Sequence, residues 1–307
     1  MPAKPLIALL LILFTITAHP VLAQDKPVEY KPTPLSDTVT MIQGRGGNIA
    51  VSAGEDGVFV IDDQYSHLVD QLLAAIGKVS DEPIRFVINT HYHGDHVGGN
   101  EVVGQSGGVI IAHDNIRKRM SSDQFNYFWN STTPAWPGDA LPVVTFNDRV
   151  TLHLNGEPVT AYHVPRGHTD GDSIIHFPES NIVHMGDIFF YGLYPFIDLD
   201  GGGTVQGMIA GVELGLELSD ENTRVIPGHG SLTDRAGLLS YHAMLVEMQG
   251  IVQGMIDQGM SLQEVVAANP TLKWDKELGN SFIKPDSLAV FLYNSLTGVD
   301  QFTRLDD

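Results

Sequence analysis

Three imidazoles and a carboxylate fall within six residues at His91-Tyr92-His93-Gly94-Asp95-His96. Donors packed this closely are expected mainly where a metal ion is held, because neutral imidazole and carboxylate are common nitrogen and oxygen ligands. In a loop leaving a strand, alternate residues such as His91 and His93 can converge on one point. The following pair, Asp95 and His96, can turn toward a second point a few ångströms away, so one short segment can serve two metals. Gly98-Gly99 lets the backbone turn closely around such a site. The bland reading, a histidine-rich surface turn, accounts poorly for that spacing.

Three further clusters place donors in glycine turns: Gly167-His168-Thr169-Asp170-Gly171-Asp172, Gly186-Asp187 and Pro227-Gly228-His229-Gly230. Taken singly, a His or Asp in such a turn is more often a turn or capping residue. Their shared position makes them candidates, since each lies just past a predicted strand. The chain has no cysteine, which removes thiolate from the ligands and disulfides from the stabilising devices.

The elements that must carry these loops follow from periodicity. Thr38 to Asp62 alternates in three apolar bursts split by Gly44-Arg45-Gly46-Gly47 and Gly54-Glu55-Asp56-Gly57, which predicts an antiparallel meander. Helical spacing over His67 to Val79 leads into a strand at Ile84 to Ile88. Further strands are predicted at Val109 to Ala112, Val150 to Leu154, Val159 to Val164, Ser173 to Phe177, Ile182 to Met185 and Arg224 to Ile226. Helices are predicted at Val205 to Leu218 and Arg235 to Met255, with more from Ser261 onward. Strands and helices interleave without repeats or an evident linker, which predicts one layered α/β body. Residues 114 to 142, with Phe125, Tyr127, Phe128, Trp129 and Trp136, read as a long irregular connection that could be a lid or pocket wall, or simply a loop anchored to the core.

Lys4 ahead of an apolar run from Leu6 to Thr17, ending near Val21-Leu22-Ala23, reads as a secretory signal peptide over residues 1–23. The run is short of the roughly 20 residues that span a bilayer. Residues 24–307 are then a single mature domain, mainly helical over about 236–307, and exported to the periplasm or secreted. With 17 basic against 37 acidic residues the formal charge is −20, and −21 once Lys4 is lost, which argues against nucleic acid or anionic membranes as partners.

The series HYHGDH, RGHTDGD, MGD and PGHG, in this order and at these separations, resembles the metallo-β-lactamase superfamily. The likeness covers nearly the whole mature chain, including Ile61-Asp62-Asp63 at the end of an early strand. The resemblance implies an α/β fold, a four-layer αββα sandwich with the site at one edge of its two sheets and a C-terminal helical extension. It further implies that His91, His93 and His168 bind one metal, Asp95, His96 and His229 the other, with Asp187 bridging. The implied cofactors are two zinc ions per chain, although iron or manganese is compatible with the same donors. Asp62 and Asp172 are candidates for holding ligand N–H groups or the ligand loops in place.

Two divalent ions about 3.5–4 Å apart would hold a water between them and lower its pKa from about 15.7 toward about 7. The expected reaction is hydrolysis of an ester, thioester, lactone or lactam carbonyl in a small molecule, with Asp95 orienting the nucleophile and passing on a proton. Phosphoester cleavage would use the same parts. GHTDGD and IPGHG resemble the cysteine-ligated metallo-β-lactamases, yet Asp187 stands where those have cysteine and Phe190 where they carry a basic residue, which counts against efficient β-lactam hydrolysis. Asp187 and THYHGDH instead resemble glyoxalase II and related hydrolases, whose third motif usually continues as GH where this chain has Gly171-Asp172. Glyoxalase II is typically intracellular, so the export signal directs the resemblance toward exported zinc hydrolases of the superfamily. Two rivals remain. A mononuclear iron redox enzyme of this fold would leave part of the seven-ligand set unused, and a non-catalytic metal-binding module would normally lack at least one ligand.

Overall fold

An edge strand, β1 (Lys31–Pro34), pairs with β2 (Val39–Gln43), and β2, β3 (Ile49–Gly54) and β4 (Gly57–Ile61) form the antiparallel meander read from the alternation. The sequence gives no hint of β1, because its four residues are all exposed and two are prolines, which a sheet tolerates only at an edge. This computed structural model describes Met1 and residues 28–305, so the leader read over residues 1–23 lies, Met1 apart, outside the described residues.

Helix α1 (Val69–Ile76) carries the chain to β5 (Ile84–Ile88), which lies parallel to β4. After the histidine-rich segment come two short helices, α2 (Gly94–Val97) and α3 (Asn100–Gln105), and then β6 (Val109–His113), parallel to β5. Residues 114 to 142 are more regular than the sequence suggests. They form helix α4 (Asp114–Met120), a small hairpin of β7 (Gln124–Asn126) and β8 (Ser131–Thr133), and a 3-10 turn at Gly138–Ala140. Their polar, aromatic-rich composition hides this because β7 and β8 bury no apolar face and so show no strand alternation. Strand β9 (Val144–Phe146) then closes the far edge of a seven-stranded sheet.

The second sheet has six strands: β10 (Arg149–Leu154), β11 (Glu157–His163), β12 (Ser173–Phe177), β13 (Ile182–His184), β14 (Arg224–Ile226) and the two-residue β15 (Thr233–Asp234). Only β13 and β14 run parallel, and the crossover between them contains α5 (Val205–Glu217). Thr204 caps α5 by accepting from the Gly207 N–H, and Asp234 caps α6 (Arg235–Asp257) by accepting from Ala236 and Gly237. The chain ends in α7 (Leu262–Ala267), α8 (Leu272–Leu278) and α9 (Pro285–Thr297).

Alternation along each strand sorts the apolar residues into three layers. Met41, Phe59, Ile61 and Ile88 of the first sheet meet Val159, Ile175, Phe177 and Ile226 of the second, with the rings of Phe59 and Phe177 stacked at 6.2 Å. On the other face of the first sheet, Ile42, Val51, Val60 and Val87 pack on Leu72 and Ile76 of α1 and Val103 of α3. Outside the second sheet, Ile174, Val183 and Val225 pack on Met208 of α5, Leu245 of α6 and Phe291 of α9. Helix, sheet, sheet and helix therefore lie in four layers, the αββα arrangement expected. Among the described residues no helix is long and apolar enough to cross a membrane.

Candidate metal centre

The strands deliver their C-terminal exits to one edge of the sandwich. Asp62 and Asp63 follow β4, Thr90 to His96 follow β5, His168 lies in the turn joining β11 to β12, Asp187 sits in a 3-10 turn (Gly186–Ile188) after β13, and His229 follows β14. One ligand atom from each of His91, His93, His168 and Asp187 falls within 4.8 Å of the others, and the same holds for Asp95, His96 and His229. All seven residues singled out by their motifs are thus brought together. The Asp187 carboxylate stands between the groups. Its Oδ2 lies 3.7 Å from His91 Nε2 and 3.6 Å from His168 Nε2 on one side, and 3.3 Å from His229 Nε2 on the other, while its Oδ1 lies 3.2 Å from His96 Nε2.

Such convergence needs backbone that approaches very closely. A Cβ at Gly228 would collide with the Asp187 carboxylate, and one at Gly47 would collide with the His96 ring. Glycine at both positions is a steric requirement of the cluster.

Four of the five imidazoles are oriented through the nitrogen facing away from their partners. His96 donates Nδ1–H to Asp62 Oδ2 at 2.7 Å, His168 donates Nδ1–H to the Phe196 carbonyl at 2.7 Å, and His91 Nδ1 lies 3.1 Å from Thr90 Oγ1. Thr90 itself donates its N–H and its hydroxyl to Asp62, both at 2.7 Å. These bonds fix the rings so that Nε2 of His91 and His168 keeps a lone pair facing inward, as does Nε2 of His96 once its second proton is lost. His93 is turned the other way, donating Nε2–H to Asp198 at 2.8 Å and leaving Nδ1 inward, 2.9 Å from His168 Nε2.

Among the described residues, His91 Nε2 and Asp187 Oδ1 are buried side-chain atoms without a hydrogen-bond partner. Orphaned buried polar atoms are costly unless something else satisfies them. Five inward imidazole nitrogens with two carboxylates fit divalent metal. His91, His93 and His168 would hold one ion and Asp95, His96 and His229 a second, with Asp187 reaching both.

Asp62 is fully buried and touches a candidate ligand directly. Asp172 acts on a loop instead, accepting from the Thr169 N–H at 2.8 Å and the Thr169 hydroxyl at 2.6 Å and so closing the turn that carries His168. Asp170 of the same motif faces away and takes a bidentate pair of 2.8 Å bonds from Arg119, tying α4 to that turn.

Sequence reasoning missed Asp198. It accepts from His93, from the Tyr92 hydroxyl at 2.6 Å, from the Asn126 amide at 3.0 Å and from the Gly201 N–H at 3.0 Å, so it links His93 to the β7–β8 hairpin. Nothing in Phe196-Ile197-Asp198-Leu199-Asp200 marks one carboxylate over the other, because Asp198 follows no strand. The hairpin walls a pocket of about 450 Å³ whose floor includes His93, Asp95, Asp187 and His229.

Electrostatics divide the cluster. Burial, then His96, holds His91 neutral, well below the ordinary histidine range, and burial with His93 lowers His168 to about 4. Burial also opposes charge on His229, but Asp187 and Asp95 overcome it and push His229 up to about 10; His96 is raised against burial by Asp187, Asp95 and Asp62. Asp187 in turn is held well below the carboxylate range, burial being outweighed by His229, His96 and His91.

Metal must therefore displace protons from His96 and His229. A folded-state value raised from 6.5 to about 10 gives the protein stability that is complete below pH 6.5 and lost as pH rises toward 10. Protein stripped of metal should accordingly weaken over that window while metal uptake strengthens. The expected result, read by thermal unfolding, is a difference in Tm between zinc-loaded and stripped protein that widens from pH 6.5 to pH 9. A gap that narrows would contradict this proton competition.

Comparison with known proteins agrees with the architecture. The family described as the metallo-beta-lactamase superfamily matches residues 34–229. A hydroxyacylglutathione hydrolase from Nitrosococcus oceani is 25% identical over 194 residues, which cover 63% of this chain and 65% of that enzyme, so the match spans just under two thirds of the relative's length. Among solved structures, a metallo-beta-lactamase from Pontibacter korlensis superposes with a TM-score of 0.58 at 19% identity over 71% of this chain and 99% of that one. A stereoselective inverting sec-alkylsulfatase from Pseudomonas sp. superposes with a TM-score of 0.66 at 15% identity, over 86% of this chain and 50% of the other. At these identities the structural likenesses speak to fold alone.

Proposed function

The chain belongs to the metallo-beta-lactamase superfamily, and from that premise we propose that it is an exported, dinuclear zinc hydrolase acting on an ester, thioester, lactone or lactam carbonyl of a small molecule. The observation that carries this reading is the convergence of seven donor residues, with His91 Nε2 and Asp187 Oδ1 orphaned, on the floor of an accessible pocket. Bound zinc supplies Lewis acidity there, activating water at neutral pH and polarising the carbonyl oxygen.

The chain's own residues supply the rest. Asp95 lines the pocket with its Oδ2 3.3 Å from His229 Nε2 and 3.6 Å from His96 Nε2, and those two imidazoles hold its carboxyl at about 2 although burial opposes it. It is thus an anionic acceptor at the reacting centre, able to orient the nucleophile and carry its proton to the leaving group. Asp62 and Asp198 hold His96 and His93 in the tautomers that keep their free nitrogens inward. Phe190 stacks on His229 at 5.5 Å and 8°, so an apolar ring stands beside this ligand. Together with Asp187 in place of a thiolate, this favours acyl substrates other than β-lactams. Export rests on the leader read over residues 1–23.

A panel of a thioester, a lactone, an aryl ester, a phosphoester and nitrocefin tests the reading, assayed with zinc, after chelation and after zinc is restored. An acyl substrate should be turned over, lose its turnover by at least about a hundredfold on chelation, and recover it. Nitrocefin turnover far above the other rates would place the protein among the lactamases instead. No hydrolysis by zinc-loaded protein would overturn the hydrolase reading.

A further inference from the structure

The pocket above the candidate metals has a charged side and an apolar side. Among the residues that line it, Arg45 is the single Lys or Arg, in a chain where acidic residues outnumber basic ones by 37 to 17. Phe125, Trp129, Phe196 and Phe282 supply the apolar surface. The rings of Trp129 and Phe282 stack 6.3 Å apart at 20°, and both are substantially exposed, at 51% and 43%. Large aromatics left open to solvent beside a reacting centre are contact surface in search of a ligand group.

Arg45 is delivered by a rigid mount. It occupies the turn between β2 and β3, where the Gly46 N–H donates to Gln64 Oε1 at 2.8 Å and Gln64 Nε2 donates to the Gly47 carbonyl at 3.1 Å. On the far side of the turn the Asn48 N–H donates to the Gly228 carbonyl at 2.8 Å, and its amide donates to Pro227 at 2.8 Å. The turn is thus bolted both to the loop after β4 and to the loop bearing His229. A Cβ on Gly46 would come within 2.8 Å of Asp95 Cβ and 2.9 Å of the Tyr65 ring, so Arg45 stands one residue from a backbone in contact with Asp95. Its side chain is exposed on this fixed base. Its charge reaches Tyr65, whose phenol is otherwise pushed up by burial, Asp95 and Asp187.

We propose that Arg45 is the specificity-determining residue of the pocket, recognising an anionic group on a substrate whose other arm is a flat or extended apolar group laid on Trp129 and Phe282. This rests on the hydrolase reading, and it narrows the substrate to an acyl compound bearing a carboxylate, sulfonate or similar anion away from the scissile carbonyl. A guanidinium suits this role because it is always charged and presents forked donors to a planar anion.

The test is binding to zinc-loaded full-length protein by titration calorimetry, which needs no turnover. The probes are 3-phenylpropane-1-sulfonate, a weak metal ligand, and its neutral analogue 3-phenylpropyl methyl sulfone. The sulfonate should bind about tenfold more tightly at low salt, an advantage shrinking as salt is raised. Arg45→Met should bring the two affinities to within about twofold, Arg45→Lys should keep part of the preference, and Trp129→Ala should weaken both probes alike. Equal affinities in the parent protein, no binding of the sulfonate, or a preference that survives Arg45→Met would overturn the assignment. Protein that hydrolyses nothing yet keeps an Arg45-dependent preference would refute the hydrolase reading, and with it the acyl substrate, while upholding anion recognition by Arg45. Hydrolysis without any charge preference would do the reverse.

Discussion

Replacing Asp187 with alanine is expected to lower hydrolysis by roughly a thousandfold or more, and to reduce bound metal to at most about one ion per chain, while leaving the fold intact. The reasoning is geometric. The Asp187 carboxylate lies within 3.7 Å of imidazoles from both halves of the cluster, so its loss deprives each half of a shared anion. His96 and His229, which it keeps protonated in the absence of metal, would no longer be set against it. The backbone has no need of the side chain, since the Gly186 carbonyl still accepts from the Gly228 N–H at 2.8 Å and from the Phe189 N–H at 3.2 Å. Circular dichroism should therefore be unchanged. Full activity with two ions retained would remove Asp187 from its bridging role.

Asp62→Ala should damage stability and metal binding together. Its fully buried carboxylate takes the Thr90 N–H, the Thr90 hydroxyl and the His96 Nδ1–H, all at 2.7 Å, and truncation leaves three buried donors unpaired. Breaking a buried charged pair in this way costs about 3–5 kcal/mol. Loss of the partner that fixes a ligand tautomer weakens metal affinity by about 10–100-fold. Asp62 also has φ +63, a left-handed conformation that alanine adopts with strain and asparagine more readily. Asp62→Asn should relieve that strain but recover only part of the stability and of the metal affinity, because its amide offers one acceptor oxygen where the carboxylate accepts through Oδ1 from the Thr90 N–H and through Oδ2 from the Thr90 hydroxyl and His96. Chemical unfolding and zinc titration of both variants separate the two effects. Equal stability of the parent and Asp62→Ala would show that the network does not hold the site.

The parts of the molecule that were legible in the sequence are those where one face is buried. Ile84–Ile88, Ser173–Phe177 and Arg224–Ile226 form strands with the boundaries that periodicity predicts, because the apolar residues of each are packed against a neighbouring layer. The metal-ligand candidates could be read because donors at strand exits are chemically conspicuous. Strands β1, β7 and β8 could not, since they are stabilised by backbone pairing at an edge or in an exposed hairpin and carry no apolar alternation. Asp198 and Arg45 were hidden for a related reason. Each acquires its place through a fold-wide convergence, His93 reaching Asp198 across 105 positions and Arg45 riding on a turn held by Gln64 and by the loop of His229. A single aspartate or arginine in a glycine-rich stretch carries no local mark of such a position.

Metal content is the most direct measure of the central claim. Purified protein equilibrated with zinc and then freed of excess by gel filtration should carry close to two zinc ions per chain by elemental mass spectrometry, and chelation should remove the metal and the hydrolysis in step. One iron per chain with no hydrolysis, or no retained metal at all, would contradict the account, because the seven convergent donors would then not be the dinuclear hydrolytic centre proposed for them.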